Sequence, residues 1–340
     1  MTRQALLAID VGGSTTRAYL VDSTGRCLGY GRDRGGNPAS NSPDFAAASI
    51  IAAVNAAAAR AGGPLDIVLA QIALAGPLVH VALPALEAAF RAVGLSGDIV
   101  FAGDLLAMFA SVTHAADGYC IVSGTGAGAI RVRDGSINRV ADASGWLLGD
   151  YGSGYWLGHQ AARAVVAALD GRAEQTALTS AVLANLGIPP SGERTQDSRP
   201  ASLRALTDAI YGLRPVELAR FAPLVVAHRD DPVAAGLIAA AEDYLIADFK
   251  TVFDPQMSGP IALGGGVIPH LAGLTPKLRE ILRASGHEPD IRPVVDGSVG
   301  SIVLALRAIG VGVDAKVFSN VAASVAEHSA GPATVEQNSA

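Results

Sequence analysis

The sequence predicts an α/β protein of two domains, each with a mixed β-sheet and flanking helices. A length of 340 residues is typical of about two domains, and a hydrophobic content of 50% is ample for sizeable cores. Strand-like and helix-like segments alternate along much of the chain, as they do where helices connect parallel strands. Both halves also open on strands joined by short turns, which indicates antiparallel hairpins at the start of each sheet.

In the first half, an apolar strand ends at Asp10, and a Gly12–Thr15 turn leads into a second strand that runs to Val21. After a Ser23–Gly25 turn, Cys27–Arg32 reads as a third strand. Further elements are then expected in this order: a helix over 44–60, a strand over 67–74, a helix near 84–93, a strand over 99–101 and a helix over 105–114.

The second half repeats this plan, with strands over 119–122, 129–133 and 136–140 and a glycine turn at Ser123–Gly128. Residues 155–254 read mostly as helices, and another strand and glycine turn follow at 261–268. The predicted domains are 1–117 and 118–297; a last helix, about 298–312, is expected to pack back on the first domain. The composition from 319 to 340 lacks a strong pattern and predicts a flexible tail.

Bulk properties exclude several classes of protein. A net charge of −6 argues against binding to nucleic acid or to a membrane surface through bulk charge. The two cysteines, Cys27 and Cys120, lie in apolar strand-like stretches and are expected to be buried thiols. The N-terminus lacks the pattern of a signal peptide, and apolar runs are too short to span a membrane, so a cytoplasmic location is expected.

Four glycine-rich turns suggest a nucleotide-binding cleft between the two domains: Gly12-Gly13, Gly124–Gly126, Gly149–Gly154 and Gly264–Gly266. Glycine lets the main chain approach phosphate oxygens closely, and successive N–H groups form a concavity that binds anions. A carboxylate at such a turn can hold Mg²⁺ directly or through water. The first turn has this acid, Asp10.

Other nucleotide and catalytic motifs do not fit. A P-loop needs a lysine after its glycines, and none of the three lysines, at 250, 277 and 316, has that setting. A Rossmann fingerprint forced onto Gly124–Ala129 would have to open a helix, whereas the sequence continues as a hairpin. There is no Gly-x-Ser-x-Gly nucleophile motif, and the histidines lack metal-ligand spacing.

Five motifs in order resemble the sugar kinases of the actin-like ATPase superfamily, and in particular the N-acetylglucosamine kinase and BadF/BadG-type group. These motifs are Asp10–Arg17, Gly103-Asp104, Ser123–Gly126, Gly145–Gly154 and Leu263–Gly266. The resemblance extends from about residue 5 to residue 310, and within the group it is strongest to actinobacterial glucosamine kinases. It implies two actin-like (ribonuclease H-like) domains with the active site in the cleft between them.

The resemblance implies that the protein binds ATP and Mg²⁺. The residues that it assigns to the nucleotide are Gly12, Gly13, Ser14, Thr15, Arg17, Gly124, Thr125, Gly126, Gly264, Gly265 and Gly266. Gly297-Ser298 is expected near the same ligand. Asp10 is expected to hold Mg²⁺, partly through water, since Mg²⁺ loses its waters reluctantly.

Asp104 matches the catalytic base of this group. Because it directly precedes a predicted helix, the alternative is that it caps this helix. A sugar hydroxyl is a poor nucleophile until a carboxylate accepts its proton, and the order of the surrounding motifs favours the catalytic role.

Similarity assigns sugar binding to Asn37, Asp104, Thr125, Gly145, Trp146 and Asp150. Side chains of this polar type bind ring hydroxyls. Without the resemblance, Asn37 could be a loop residue before a proline, and Trp146 could belong to the core. His159 is expected to pack or to support the site rather than to bind the ligand.

The function that these observations favour is transfer of phosphate from ATP to the 6-hydroxyl of glucosamine. The glucosamine ammonium group would be attracted by acidic neighbours such as Asp150, whereas an acetamide needs a partly apolar slot. The sequence leaves a homodimer possible.

Two alternatives stay open at this point, and a third is not expected. The first is an N-acetylglucosamine kinase. The second is a BadF-type activator ATPase, which would need cysteines for an iron–sulfur cluster. The third, a sugar-responsive repressor, would need a DNA-binding domain before the first strand, and the strand begins by Ala5.

Overall fold

The computed structural model describes residues 3–38, 42–74 and 81–329, and the chain divides into two compact units. Unit 1 contains the chain up to Ala115 together with the chain from Asp296 onward, and unit 2 runs from Ala116 to Val295. These divisions lie within two residues of the predicted boundaries.

Unit 1 is built on a five-stranded sheet in the order β3-β2-β1-β4-β5. Its strands are β1 (Arg3–Val11), β2 (Thr15–Val21), β3 (Cys27–Arg34), β4 (Leu65–Leu74) and β5 (Leu95–Gly103). The first three strands are antiparallel, whereas β4 pairs in parallel with β1 and with β5. The hairpins and the alternation of helix and strand that the sequence predicts are therefore both present.

Helices cover both faces of this sheet. They are α1 (Pro43–Arg60), α2 (Leu83–Ala92), α3 (Asp104–Ala110), α10 (Ser298–Ala308) and α11 (Ala315–Ser329). Ser42 caps α1 by accepting a hydrogen bond from the Phe45 amide, and Pro43 occupies the first turn, where its missing N–H costs nothing.

Strand β1 shows how the two faces are divided. Its residues at odd positions, such as Leu7 and Ile9, join the core with α1 and α2. Its residues at even positions, Leu6 and Ala8, join a second core with α10 and α11. Since side chains alternate along a strand, Asp10 points to the α10 side of the sheet.

Unit 2 has a second five-stranded sheet in the order β10-β9-β6-β7-β8. Its strands are β6 (Gly118–Ser123), β7 (Ala127–Arg133), β8 (Ser136–Asp142), β9 (Ile261–Gly264) and β10 (Ile291–Pro293). Strands β6, β7 and β8 are antiparallel, and β9 is parallel to β6 and β10.

The helices of unit 2 are α4 (Gly154–Leu169), α5 (Ala177–Asn185), α6 (Ala201–Tyr211), α7 (Ala222–Ala227), α8 (Pro232–Val252) and α9 (Leu274–Ala284). A 3₁₀ segment, Pro215–Phe221, lies beside α4. Apolar residues from α4 and α8 form one core with Ile121 of β6 and Leu263 of β9. The α/β fold class, with a mixed sheet in each domain, is confirmed.

Two features differ from the expectations. Strand β10 is only three residues long, too short to give a pattern in the sequence. The flexible tail expected from Ser319 is instead helical as far as Ser329, because α11 buries Val321 and Val325 against the β-sheet. The packing partners of α11 are far away in the sequence, and such tertiary contacts supply most of a helix's stability. Residues 330–340 of the expected tail lie outside the described residues.

Cys27 and Cys120 are both buried free thiols, as expected. No helix in the described residues is long and apolar enough to cross a membrane.

Candidate active site

The turn between β1 and β2 is the first predicted phosphate loop. The Gly12 amide donates to the Thr15 carbonyl at 2.9 Å, which closes the turn, while Gly13 and Ser14 are exposed to solvent. Gly35, just after β3, lies so close to the Gly13 carbonyl that a side chain there would collide with it. The loop thus packs against Gly35, while Gly13 and Ser14 remain accessible, as the binding of an anion requires.

Asp10 stands beside this turn and is buried. Its Oδ2 accepts a hydrogen bond from the Gly297 amide at 3.2 Å and lies 3.5 Å from a guanidinium nitrogen of Arg17. The Nε of Arg17 lies 3.5 Å from Oδ2 of Asp296. The Arg17 guanidinium therefore lies between two carboxylates, one from each of the two chain segments that make up unit 1.

The charges around Asp10 are out of balance. Burial, together with the carboxylates of Asp296 and Asp104, raises the pKa of Asp10 to about 7, although Arg17 and the Gly297 amide act to lower it. One arginine does not compensate this group of acids. A divalent cation next to Asp10 would supply the missing positive charge.

In the described residues, no three side chains of the His, Cys, Asp or Glu type are grouped to hold a metal ion. A cation at Asp10 would therefore draw most of its ligands from water and from a bound phosphate chain. Mg²⁺ binds in this way, through one or two carboxylates and substrate phosphates, so the residues present fit Mg²⁺.

Asp104 is the first residue of α3, at the end of β5. Gly103 occupies the N-cap position, and the Asp104 carboxylate accepts a hydrogen bond from the adjacent Leu105 amide at 2.9 Å. Asp104 is therefore not the N-cap residue of α3, as the alternative interpretation had it. The charge of Asp104 contributes to the raised pKa of Asp10, so the predicted base lies in the same part of unit 1 as the first phosphate loop.

Asn37 is buried three residues after the end of β3. The preceding Gly36 packs on the Thr16 hydroxyl, as Gly35 packs on Gly13. The segment that carries Asn37 therefore lies directly against the first phosphate loop.

Unit 2 brings three of the glycine turns together. The Ser123 carbonyl accepts a hydrogen bond from the Val267 amide at 2.9 Å, which joins the 123–126 turn to the 264–267 turn. The Gly124 carbonyl accepts one from the Gly154 amide at 2.7 Å, which joins it to the start of α4. Gly265 has a φ of +96°, and a side chain on it would strike the Ser123 carbonyl, so this contact requires glycine.

The predicted sugar residues of unit 2 lie around the same turns. Asp150 has a φ of 58°, and its Oδ1 accepts a hydrogen bond from the Ala127 amide at 3.1 Å. Burial raises the pKa of Asp150, with a smaller contribution from Asp142. Thr125 is exposed.

Trp146 is 39% exposed, and its ring meets the Tyr155 ring edge-on, with centroids 5.9 Å apart. It is therefore not the core residue that the alternative interpretation allowed. Its neighbour Gly145 has a φ of +79°, with open space around it. His159 stacks on Tyr155, which agrees with the expected packing role.

The predicted residues thus form two groups. Asp10, the 12–17 loop, Asn37 and Asp104 are in unit 1, and the 123–126, 145–150 and 264–266 segments are in unit 2. Sequence reasoning missed Asp296, although an Asp-Gly-Ser sequence before a helix is a recognisable start signal. It also missed Asp142, which ends β8 and accepts hydrogen bonds from three main-chain amides of the segment that follows.

The sequence profile of the BadF/BadG/BcrA/BcrD ATPase family matches residues 7–303. The chain belongs to this family. The resemblance inferred from the five motifs is therefore confirmed. A search of curated proteins finds no match to the sequence.

Two solved structures resemble the chain over nearly their whole length. A provisionally named N-acetylglucosamine kinase from Chromobacterium violaceum is 26% identical, with a TM-score of 0.67, over 89% of this chain and 99% of that one. Another protein with the same provisional name, from Porphyromonas gingivalis, is 21% identical, with a TM-score of 0.64, over 89% and 99% of the two chains. The second likeness bears on the fold alone.

Proposed function

We propose that the protein is an ATP-dependent amino-sugar kinase that converts glucosamine to glucosamine 6-phosphate. The observation that carries the proposal is the group of Asp10, Arg17 and Asp104 beside an open glycine turn in unit 1. A sugar kinase needs a carboxylate base and a place for a metal-bound phosphate chain, and this group offers both. The name of the Chromobacterium violaceum neighbour supports the same class of reaction.

The glycine turns bind the nucleotide. Exposed Gly13 and Ser14 present main-chain groups to phosphate oxygens, and Arg17 supplies a positive charge at the base of the turn. The 123–126 turn forms the second phosphate site, and 264–266 lies beside the nucleoside. The hydrogen bond between the Ser123 carbonyl and the Val267 amide supports this pairing, because it fixes the spacing of the two turns.

Asp10 would hold Mg²⁺, together with water and the β- and γ-phosphates. When bound, the ion neutralises the charge that builds up on the transferred phosphoryl group. Asp10 is kept in place for this task by the Gly297 amide, and Arg17 is kept in place by Asp296.

Asp104 accepts the proton of the sugar 6-hydroxyl as the hydroxyl oxygen attacks the γ-phosphorus. The bond from this phosphorus to the bridging oxygen breaks, and ADP leaves. The helix start at Gly103 supports this role, since the Leu105 amide orients the Asp104 carboxylate.

The sugar is bound by Asn37, Thr125, Gly145, Trp146 and Asp150. We propose glucosamine as the preferred substrate because Asp150 is a partly buried carboxylate, which gains most from an ammonium partner. The half-exposed Trp146 offers an apolar face to a sugar ring.

The second candidate is an N-acetylglucosamine kinase, which the name of the Chromobacterium violaceum neighbour favours. An activator ATPase is not favoured, because Cys27 and Cys120 are buried, and cluster ligands at a subunit interface would have to reach the surface.

The test is to measure kcat/KM for glucosamine, N-acetylglucosamine and glucose at saturating Mg-ATP. The proposal predicts the highest value for glucosamine. A higher value for N-acetylglucosamine would overturn the choice of sugar but keep the kinase, and ADP release that no sugar stimulates would overturn both.

A further inference from the structure

Asp142 is the last residue of β8, and its carboxylate binds three main-chain amides of the segment that follows. Oδ1 accepts hydrogen bonds from Ser144 at 3.2 Å and from Asp150 at 2.8 Å. Oδ2 accepts one from Tyr151 at 2.9 Å. A single side chain thus connects Ser144, near the start of the 143–151 loop, to Asp150 and Tyr151 at its end.

The backbone of this loop is strained where Asp142 holds it. Asp142, Ala143 and Asp150 all have φ between 54° and 58°, in the left-handed region that residues with a Cβ rarely adopt. Such a conformation persists only where surrounding contacts impose it. The three amide bonds to one carboxylate are contacts of this kind.

The packing of Gly149 supports the same conclusion independently. A Cβ on Gly149 would lie 2.0 Å from Oδ1 of Asp142. The main chain therefore passes directly over the carboxylate, at the residue before Asp150. A side chain at position 149 would displace the Asp142 carboxylate from its present place.

We propose that Asp142 is a positioning residue for the sugar: it orients Asp150 and the 145–146 segment so that they meet the substrate. This inference rests on the proposed function, in which Gly145, Trp146 and Asp150 bind the sugar. Asp142 holds the main chain of Asp150, and the Ala127 amide holds its side chain. Both the main chain and the side chain of Asp150 are therefore held in place.

The first test compares Asp142→Asn with the wild-type protein. Asparagine tolerates the left-handed conformation and can still accept from Ser144 and Asp150, but its NH₂ group faces the Tyr151 amide and cannot accept. Because one charge-assisted hydrogen bond is lost, we expect KM for glucosamine to rise about tenfold. KM for ATP should rise less than KM for glucosamine, because the Asp142 carboxylate binds amides of the 143–151 loop and acts on the 123–126 turn through Asp150.

Amide hydrogen exchange supplies a measurement that does not depend on turnover. Exchange at Tyr151 should accelerate in Asp142→Asn, and exchange at Ser144, Asp150 and Tyr151 should accelerate in Asp142→Ala. Gly149→Ala displaces the same carboxylate and should reproduce the Asp142→Ala pattern. Asp134→Asn is the matched control, because Asp134 is an exposed, left-handed aspartate at the other end of the same hairpin.

The outcomes separate the two proposals. An active wild-type kinase whose glucosamine KM is unchanged in Asp142→Asn and Asp142→Ala would overturn the positioning role and leave the function intact. So would a lowered melting temperature with no change in KM, since that is what a purely structural residue produces. A wild-type protein that phosphorylates no sugar would overturn the proposed function and this inference with it.

Discussion

Gly300→Ala tests whether the packing of α10 on α3 positions Asp104. A Cβ on Gly300 would lie 1.7 Å from the carbonyl oxygen of Ala107, on the first turn of α3. Ordinary contacts of this type are longer than 3.0 Å, so the two helices must separate by more than 1 Å. The amide of Gly300 also donates to the Ser111 hydroxyl at 2.8 Å, and this bond would lengthen.

The expected effect is on the chemical step. A displacement of about 1 Å of a catalytic group can cost about 100-fold in rate, so kcat should fall by roughly that factor. Forcing a methyl group into packed helices should also lower the free energy of unfolding by about 1–3 kcal/mol. Steady-state kinetics and urea denaturation on the same preparation measure the two effects separately.

Gly236→Ala is the control, because Gly236 is an exposed residue of α8 with open space around it. It should leave kcat unchanged and stabilise the protein by up to about 1 kcal/mol. If Gly300→Ala unfolds more easily but keeps a kcat within threefold of the wild-type value, the placement of Asp104 by this helix contact is refuted.

Three further variants test separate parts of the site. Asp104→Asn should lower kcat by about 10²–10⁴ with little change in nucleotide affinity, measured by titration calorimetry; substantial turnover would mean that the base is elsewhere. Gly265→Ala would push on the Ser123 carbonyl and should raise KM for ATP at least tenfold, while an unchanged KM would separate this turn from the nucleotide. Asp248→Asn tests pH dependence. Burial and the charge of Asp142 raise the pKa of Asp248 to about 7, so the folded state binds its proton more tightly than the unfolded state does. The wild-type free energy of unfolding should therefore fall as the pH rises from about 4 to about 7, by on the order of 1 kcal/mol, since the residue is partly exposed. In Asp248→Asn this fall should be smaller by about that amount, while the contribution of Asp10, whose pKa is also raised to about 7, should remain; an identical pH profile in both proteins would contradict the reasoning.

The sheets and most helices could be predicted because their signals are local. Alternation, turn residues and apolar runs mark β1, β2 and β6, and Ser42-Pro43 marks the start of α1. Helix α11 could not be predicted in this way. Its buried face is completed by β3, and the Cys27 amide donates to Ser324 nearly 300 residues away.

The candidate site likewise has residues that the sequence predicts and residues that only the structure shows. Asp10 and Asp104 could be named because each lies at the end of a strand within a recognisable motif. Gly297, just before α10, donates to Asp10, and Gly300 of α10 packs on Ala107 in the helix that Asp104 begins; only the folded chain brings these residues together. Asp142 carried no motif, since its role consists of three hydrogen bonds to a loop whose path the sequence does not reveal.

The most direct test of the central claim is to identify the product. The purified protein is incubated with ATP, Mg²⁺ and glucosamine, and the mixture is examined by mass spectrometry and phosphorus NMR. The account predicts ADP and glucosamine 6-phosphate in equal amounts, with the phosphate coupled to the protons on C6. ADP with free phosphate and unmodified sugar, or a sugar phosphorylated at another hydroxyl, would contradict it.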